Sequence, residues 1–237
     1  MSTPRLPPQF HAHADADAWV AAAAADIGGL LDLALADAGS VRLLLSGGST
    51  PAPVYRALAR GARDWSRVEV GLVDERWLPP HDKDSNGTLV ADTLLREAPD
   101  ARFEPLLRTG RSLEATVDAA NASARDGART AIAVLGMGPD GHTASLFPGM
   151  RGFDAAVDAE DDYLAVDAGG CAGAGTWPLR ITLGARALAR AAQRLLLIRG
   201  DAKRALFERA LGGDDARDLP VRLALDGATP LRVHWCP

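Results

Sequence analysis

An α/β fold, with a mainly parallel sheet covered by helices on both faces, is what this chain predicts. The first observation is order. Strand-like apolar runs alternate with helix-period stretches along the whole length. The second is pattern. VRLLLS at 41–46, TAIAVL at 130–135 and QRLLLI at 193–198 are near-continuous apolar runs, as strands buried on both faces require. The third is size: 237 residues with 47% hydrophobic content suffice for one large core. No fixed-period repeat or long polar linker divides the chain, so residues 1–237 read as a single domain. The Gly/Ala-rich stretch 167–178 is the best candidate for a break.

The opening helix starts near Asp15 or Asp17, either of which caps it. Val20, Ala23, Ala24, Ile27, Leu30, Leu31, Ala34 and Leu35 then share one face. VRLLLS follows as a strand, then SGGSTP, then a helical pattern through Val54, Tyr55 and Leu58. VEVGLVD reads as one strand over 68–74. A charged loop holding Pro79 and Pro80 runs to Ser85, before a helix over 86–96. Leu113, Thr116, Val117, Ala120 and Ala124 mark the helix that leads into TAIAVL. HTASLF at 142–147 reads as a short helix stopped by Pro148. A strand over 163–166, the 167–178 loop and the strand RITL at 180–183 come next. A helix, QRLLLI, a helix through Lys203, Leu206, Phe207 and Leu211, and the strand LRVHW complete the order.

A net charge of -5 with scattered Lys and Arg argues against nucleic acid as a partner. The N-terminal MSTPRLPPQFHAHADADAW has prolines and acids where a signal peptide needs an apolar core. No uninterrupted apolar stretch approaches the ~20 residues of a membrane helix. The expectation is a cytoplasmic protein with no membrane partner. Cys171 and Cys236 lack C-x-x-C spacing and suggest neither a zinc site nor a disulfide framework. His11, His13 and His234 lack polar company and read as surface residues, and His81 as a solvated loop residue.

Three polar segments sit where strands stop, the place where open α/β sheets bind ligands. SGGSTP at 46–51 offers Gly47, Gly48, Ser49 and Thr50 at a helix start, where N–H groups and the helix dipole favour an anion. A capped tight turn uses the same residues. No G-K-[ST] follows, which excludes a Walker motif. DERWLPPHDKDSN at 74–86 presents Asp74, Glu75 and Arg76, a carboxylate and a guanidinium able to orient a base and hold a polar substrate. GMGPDGHTASLFP at 136–148 places His142 on a glycine-rich turn, with Asp140 available for turn hydrogen bonds. Its glycines also match G-x-G-x-x-G. A dinucleotide site, however, needs a full helix after the third glycine, and Pro148 forbids one.

Taken together, LSGGSTP, VDERWLPPHDKDSN, LGMGPDGHTASLFPG, RITL and GDAKRAL resemble the 6-phosphogluconolactonase family, in its order and at similar overall length. The resemblance implies a Rossmann-like α/β fold shared with glucosamine-6-phosphate isomerase/deaminase. It implies hydrolysis of 6-phosphoglucono-δ-lactone to 6-phosphogluconate, the second step of the oxidative pentose phosphate route, with no metal or organic cofactor. By position His142 matches the family's general base, and Asp74 and Arg76 match the DER residues of its site. The phosphate would lie against Gly47, Gly48, Ser49 and Thr50, with Arg180 and Lys203 as cations. The implied partner is a small phosphorylated sugar lactone, bound by a monomer or small homo-oligomer. The 167–178 region and the ending LRVHWCP depart from the family pattern.

These residues suit lactone hydrolysis. His142 takes a proton from the attacking water, with Asp74 as the candidate for fixing its tautomer. Arg76 and the Gly138 turn are the candidate oxyanion donors. Ser49 and Ser145 lack the G-x-S-x-G context of a nucleophile. Two rivals share the pocket. An amino-sugar phosphate isomerase/deaminase typically reads DGHIAFNEP, with an acid that DGHTASLFP lacks. A non-catalytic sugar-phosphate sensor usually carries a DNA-binding segment, and this chain shows no basic helix-turn-helix stretch.

Overall fold

The computed structural model describes residues 5–79 and 81–237; Pro80 and residues 1–4 lie outside the described residues. In chain order the strands are β1 (Gln9–Ala12), β2 (Val41–Leu45), β3 (Val68–Leu72), β4 (Asp74–Arg76), β5 (Arg102–Phe103), β6 (Thr130–Leu135), β7 (Tyr163–Asp167), β8 (Leu179–Leu183), β9 (Gln193–Arg199) and β10 (Arg232–Cys236). The helices are α1 (Ala16–Asp37), α2 (Ala52–Ala59), α3 (Asn86–Val90), α4 (Leu113–Asp126), α5 (Phe153–Asp158), α6 (Ala185–Arg190) and α7 (Asp201–Leu211).

The continuous apolar runs become the strands of a seven-stranded sheet in the order β1-β10-β9-β6-β2-β3-β5. Every pairing in it is parallel. β2 and β3 are buried at all of their positions, which is why their sequences do not alternate. The mainly parallel sheet is thus as the sequence predicts. A second, antiparallel sheet in the order β4-β8-β7 is not.

That second sheet corrects the reading of VEVGLVD as one strand. The chain pairs in the large sheet up to Leu72 and in the small one from Asp74. Val73 is the joint: its N–H bonds Leu45 O, and its carbonyl accepts from Leu183 N, both at 2.9 Å. Two further elements differ. The helix expected over 86–96 is α3 followed by a π-helical turn at Ala91–Leu95. HTASLF is not helical. Thr143 bridges Leu146, Ser145 N–H goes to Thr182 Oγ1 at 3.0 Å, and Ala144 takes a left-handed φ of 49°.

α1 is capped by Asp15, which accepts from Ala18 N at 2.8 Å. By length and composition it is apolar enough to cross a membrane, contrary to the expectation that no segment approaches that limit. Here its apolar face is spent on the core. Trp19, Ile27 and Leu31 are fully buried, each worth roughly 1.5–3 kcal/mol.

The same helix carries Asp26 to the edge of the large sheet. Arg232 on β10 binds both Asp26 oxygens at 2.7 Å and reaches Gln9 Oε1 on β1 at 2.6 Å. His234 Nε2 donates to Asp26 Oδ2 at 2.9 Å, which leaves neutral Nδ1 to accept from His13 Nε2 at 3.1 Å. The His11 and His13 rings stack on His234. The reading of these three histidines as surface residues is therefore corrected: His234 is buried and the other two half-buried. His81 is exposed. Burial, chiefly, holds His11 and His13 below the ordinary imidazole value. His11, Asp26 and His234 bring ligand-type atoms within 4.8 Å of one another. A metal would have to share Asp26 with the guanidinium that already takes both oxygens, so the group is better described as a clasp on β1.

Burial alone would raise the Asp26 carboxyl, but His234 and Arg232 hold it down at about 2. Its contribution to stability is complete above the usual carboxylate value of 3.8 and is lost as pH falls toward 2. Asp26→Asn should cost about 2 kcal/mol at neutral pH. In urea titrations the gap from the parent should narrow as pH drops below 4; a gap independent of pH would contradict the clasp.

Candidate active site

Strand order places the cleft. From β2 the chain moves one way to β3, and later returns to add β6 on the other side of β2. The loops leaving β2 and β6 therefore diverge, and a crevice opens at the carboxyl ends of these strands. Ser46, Gly47, Gly48, Thr50, Asp74, Arg76, Asn86, Gly138, His142, Arg180 and Lys203 are among its lining residues. All of the sequence-derived site residues stand on this cleft except Ser49, which is exposed and does not line it.

His142 Nδ1 lies 2.5 Å from Asp140 Oδ1, and the two side chains are each 21% exposed. A carboxylate accepts, so Nδ1 carries the hydrogen. Nε2 is then the basic nitrogen, with no protein partner among the described residues. Burial alone would raise Asp140, but the hydrogen bond from His142 outweighs it and keeps the carboxyl below its usual range. The tautomer partner is therefore Asp140 and not Asp74. Spacing is the reason: Asp140 is two residues from His142, on the same turn, and its Oδ1 also accepts from His142 N at 3.2 Å. Gly138 serves this pair by its size. A Cβ there would fall 2.1 Å from His142 Nδ1 and 2.6 Å from Asp140 Oδ1. Its N–H is already bonded to His142 O at 2.9 Å, which removes it as an oxyanion donor.

Asp74 is held from two sides. Ser145 Oγ donates to its Oδ2 at 2.5 Å, and Asn86 Nδ2 donates to its carbonyl at 2.8 Å. Asn86 Oδ1 accepts from Arg76 at 3.0 Å, and Arg76 also reaches Asp84 O. Asn86 thus spaces a carboxylate from a guanidinium, a task the sequence reading missed; its only signal was its place after Ser85. Beneath them Glu75, 1% exposed, accepts from Ser85 Oγ at 2.7 Å and from the N–H groups of Arg76, Asn86 and Gly87. Burial pushes its carboxyl up, against these donors.

Arg76, Arg180 and Lys203 border the cleft, and none is in an ion pair among the described residues. Burial pulls Arg180 and Lys203 below their ordinary values. A desolvated cation without a counter-charge gains by binding an anion. Lys203 also donates to Met137 O, and Arg180 donates to Trp177 O and Ala174 O, both at 2.6 Å. The 46–51 loop feeds α2 through Pro51 at the helix start, a position where N–H groups and the helix dipole favour an anion.

The family profile described as glucosamine-6-phosphate isomerases/6-phosphogluconolactonase matches residues 14–235. A 6-phosphogluconolactonase of Xylella fastidiosa is 48% identical over 219 residues, covering 92% of each chain. One of Rhizobium meliloti is 39% identical over 235 residues, 96% of this chain and 98% of the relative. The crystal structure of a 6-phosphogluconolactonase from Shewanella baltica superposes with a TM-score of 0.90 at 32% identity, covering 97% of this chain and 98% of that one.

Glu75→Gln replaces an acceptor of four hydrogen bonds by a side chain that must also donate. The variant should lose about 1–3 kcal/mol in denaturant unfolding, because one donor of the 85–87 turn loses its acceptor. Wild-type stability would show that Glu75 does not organise the turn.

Proposed function

The chain belongs to the glucosamine-6-phosphate isomerase/6-phosphogluconolactonase family, and we propose that it hydrolyses 6-phosphoglucono-δ-lactone to 6-phosphogluconate with His142 as general base. One observation supports the base assignment above others. A carboxylate-held imidazole leaves Nε2 without a partner among the described residues, beside a cleft bordered by three cations that form no ion pair among them.

The lactone is an activated ester, so the enzyme needs a placed water, a base and charge stabilisation. Arg180, Lys203 and the 46–51 loop hold the phosphate, and that remote binding fixes C1 near Nε2. Water attacks C1 as Nε2 takes its proton; Asp140 stabilises the imidazolium that forms. The oxyanion on C1 meets Arg76, because the Gly138 N–H is committed within its turn. When the bond from C1 to the ring oxygen breaks, Nε2 returns the proton to that oxygen. Asp74, fixed by Ser145 and Asn86, serves as an acceptor for a sugar hydroxyl. The scheme uses side chains, water and substrate, with no metal or organic cofactor. Its substrate is a phosphorylated metabolite of the pentose phosphate route, which supports a cytoplasmic location.

Acid release from freshly made 6-phosphogluconolactone, measured against the spontaneous rate, tests the activity. Ammonia release from glucosamine 6-phosphate would point to the deaminase instead. His142→Ala should lower kcat by ~10²–10⁴-fold with little change in KM, and Asp140→Asn by ~10²-fold or more. Near-normal turnover in His142→Ala sinks the base assignment. Lys203→Ala should chiefly raise KM, as should Arg180→Ala; if neither does, the phosphate lies elsewhere.

A further inference from the structure

The loop at 168–178 packs against the Asp140–His142 pair from outside the motif that contains them. It closes on itself through Ala168 N to Pro178 O at 3.0 Å and Ala174 N to Cys171 O at 3.1 Å. Arg180 fastens it through two carbonyls, and Trp177 Nε1 ties it to Asp84 Oδ2 at 3.1 Å. These bonds make it a fixed wall.

Gly173 is where the wall meets the pair. A Cβ at that position would lie 2.5 Å from Asp140 Oδ2, 2.9 Å from His142 Nδ1 and 3.1 Å from its Cε1. Gly170 and Gly175 in the same loop take left-handed φ values of 88° and 62°, where the backbone itself favours glycine. Gly173 does not. What requires glycine there is the space. The imidazole is hemmed in elsewhere, since Gly138 meets the same Nδ1 and Cε1 atoms and the Phe147 ring lies 4.2 Å away.

We infer that Gly173 is a positioning residue for the general base: by lacking a side chain it lets the loop cover the Asp140–His142 pair and hold Nδ1–H on the carboxylate, with Nε2 turned to the substrate. The inference rests on His142 being the base, as argued above. Covering the pair keeps competing water from the carboxylate and strengthens the bond that sets the tautomer. A methyl group at residue 173 forces the carboxylate and the ring apart.

Gly173→Ala tests it, with Thr176→Ala on the exposed part of the same loop as control. In Gly173→Ala kcat should fall by about 10–100-fold, with KM within about threefold and thermal unfolding still cooperative. Nitrogen-15 NMR of the wild-type protein should show His142 as the Nδ1–H tautomer, with a slowly exchanging downfield proton. The alanine variant should lose that proton and mix tautomers. Wild-type kcat together with a wild-type Nδ1–H signal overturns the inference. If the variant does not fold, the wild-type spectrum decides: an Nδ1 proton exchanging as fast as that of a free imidazole overturns it. An absence of lactone turnover in the wild-type protein is a different failure. It removes the functional reading, while the NMR arm still reports whether the loop covers the pair.

Discussion

Everything at the cleft depends on the main chain of Val73. Its N–H completes the large parallel sheet, and its carbonyl starts the small antiparallel one. A backbone group buried at such a joint must be bonded on both sides, because an orphan amide costs a desolvation penalty nothing else repays. The two sheets are therefore locked at one residue. Asp74, next along the chain, is carried to the cleft by that lock, and Ser145 and Asn86 then hold its oxygens. β8 follows from the other side, bringing Thr182 under Ser145 and Arg180 to the cleft wall.

Around this joint, charge is arranged by burial. Glu75 gathers the donors of the 85–87 turn, Asp74 takes Ser145 and Asn86, and Asp140 takes His142. Each of these carboxylates thereby takes a donor from within the protein, while the cations, free of ion pairs among the described residues, keep capacity for an outside anion. This asymmetry gives a chain of net charge -5 a local site for an anion.

Much of the fold was legible because a parallel strand announces itself as an unbroken apolar run. β2, β6 and β9 fall within a residue or so of where VRLLLS, TAIAVL and QRLLLI placed them. What failed were cases in which tertiary bonds overrule local pattern. VEVGLVD gives no sign of changing sheets at Val73, since both sheets bury it. HTASLF looks helical in composition, yet Thr143 and Ser145 bond to Gly136 and Thr182 instead. β1, four residues of which only His11 is not exposed, is too short and too polar in setting to stand out. At the cleft, the contiguous motifs carried His142, Asp74, Arg76 and Gly138. Gly173 was hidden because its meaning is a distance to Asp140 and His142 in another segment, and Asn86 because its bonds to Asp74 and Arg76 form only when the 77–85 loop folds back. Asp140 was seen only as a turn former, because its second role appears once the turn brings its carboxylate onto the ring.

The pairing of β1 with β10 has a consequence for how the protein is made. β1 is edged only by β10, with Gln9 facing Arg232 in register. A strand synthesised near the beginning must thus wait for nearly the whole remaining chain before it can pair. A contact of such sequence separation is among the slowest to form. Until then the part of α1 that packs on β10 and the side of β9 that β10 will cover are open to other chains. The His and Asp clasp on that edge needs Arg232 and His234, so it closes only once β10 is in place, and that edge is then covered.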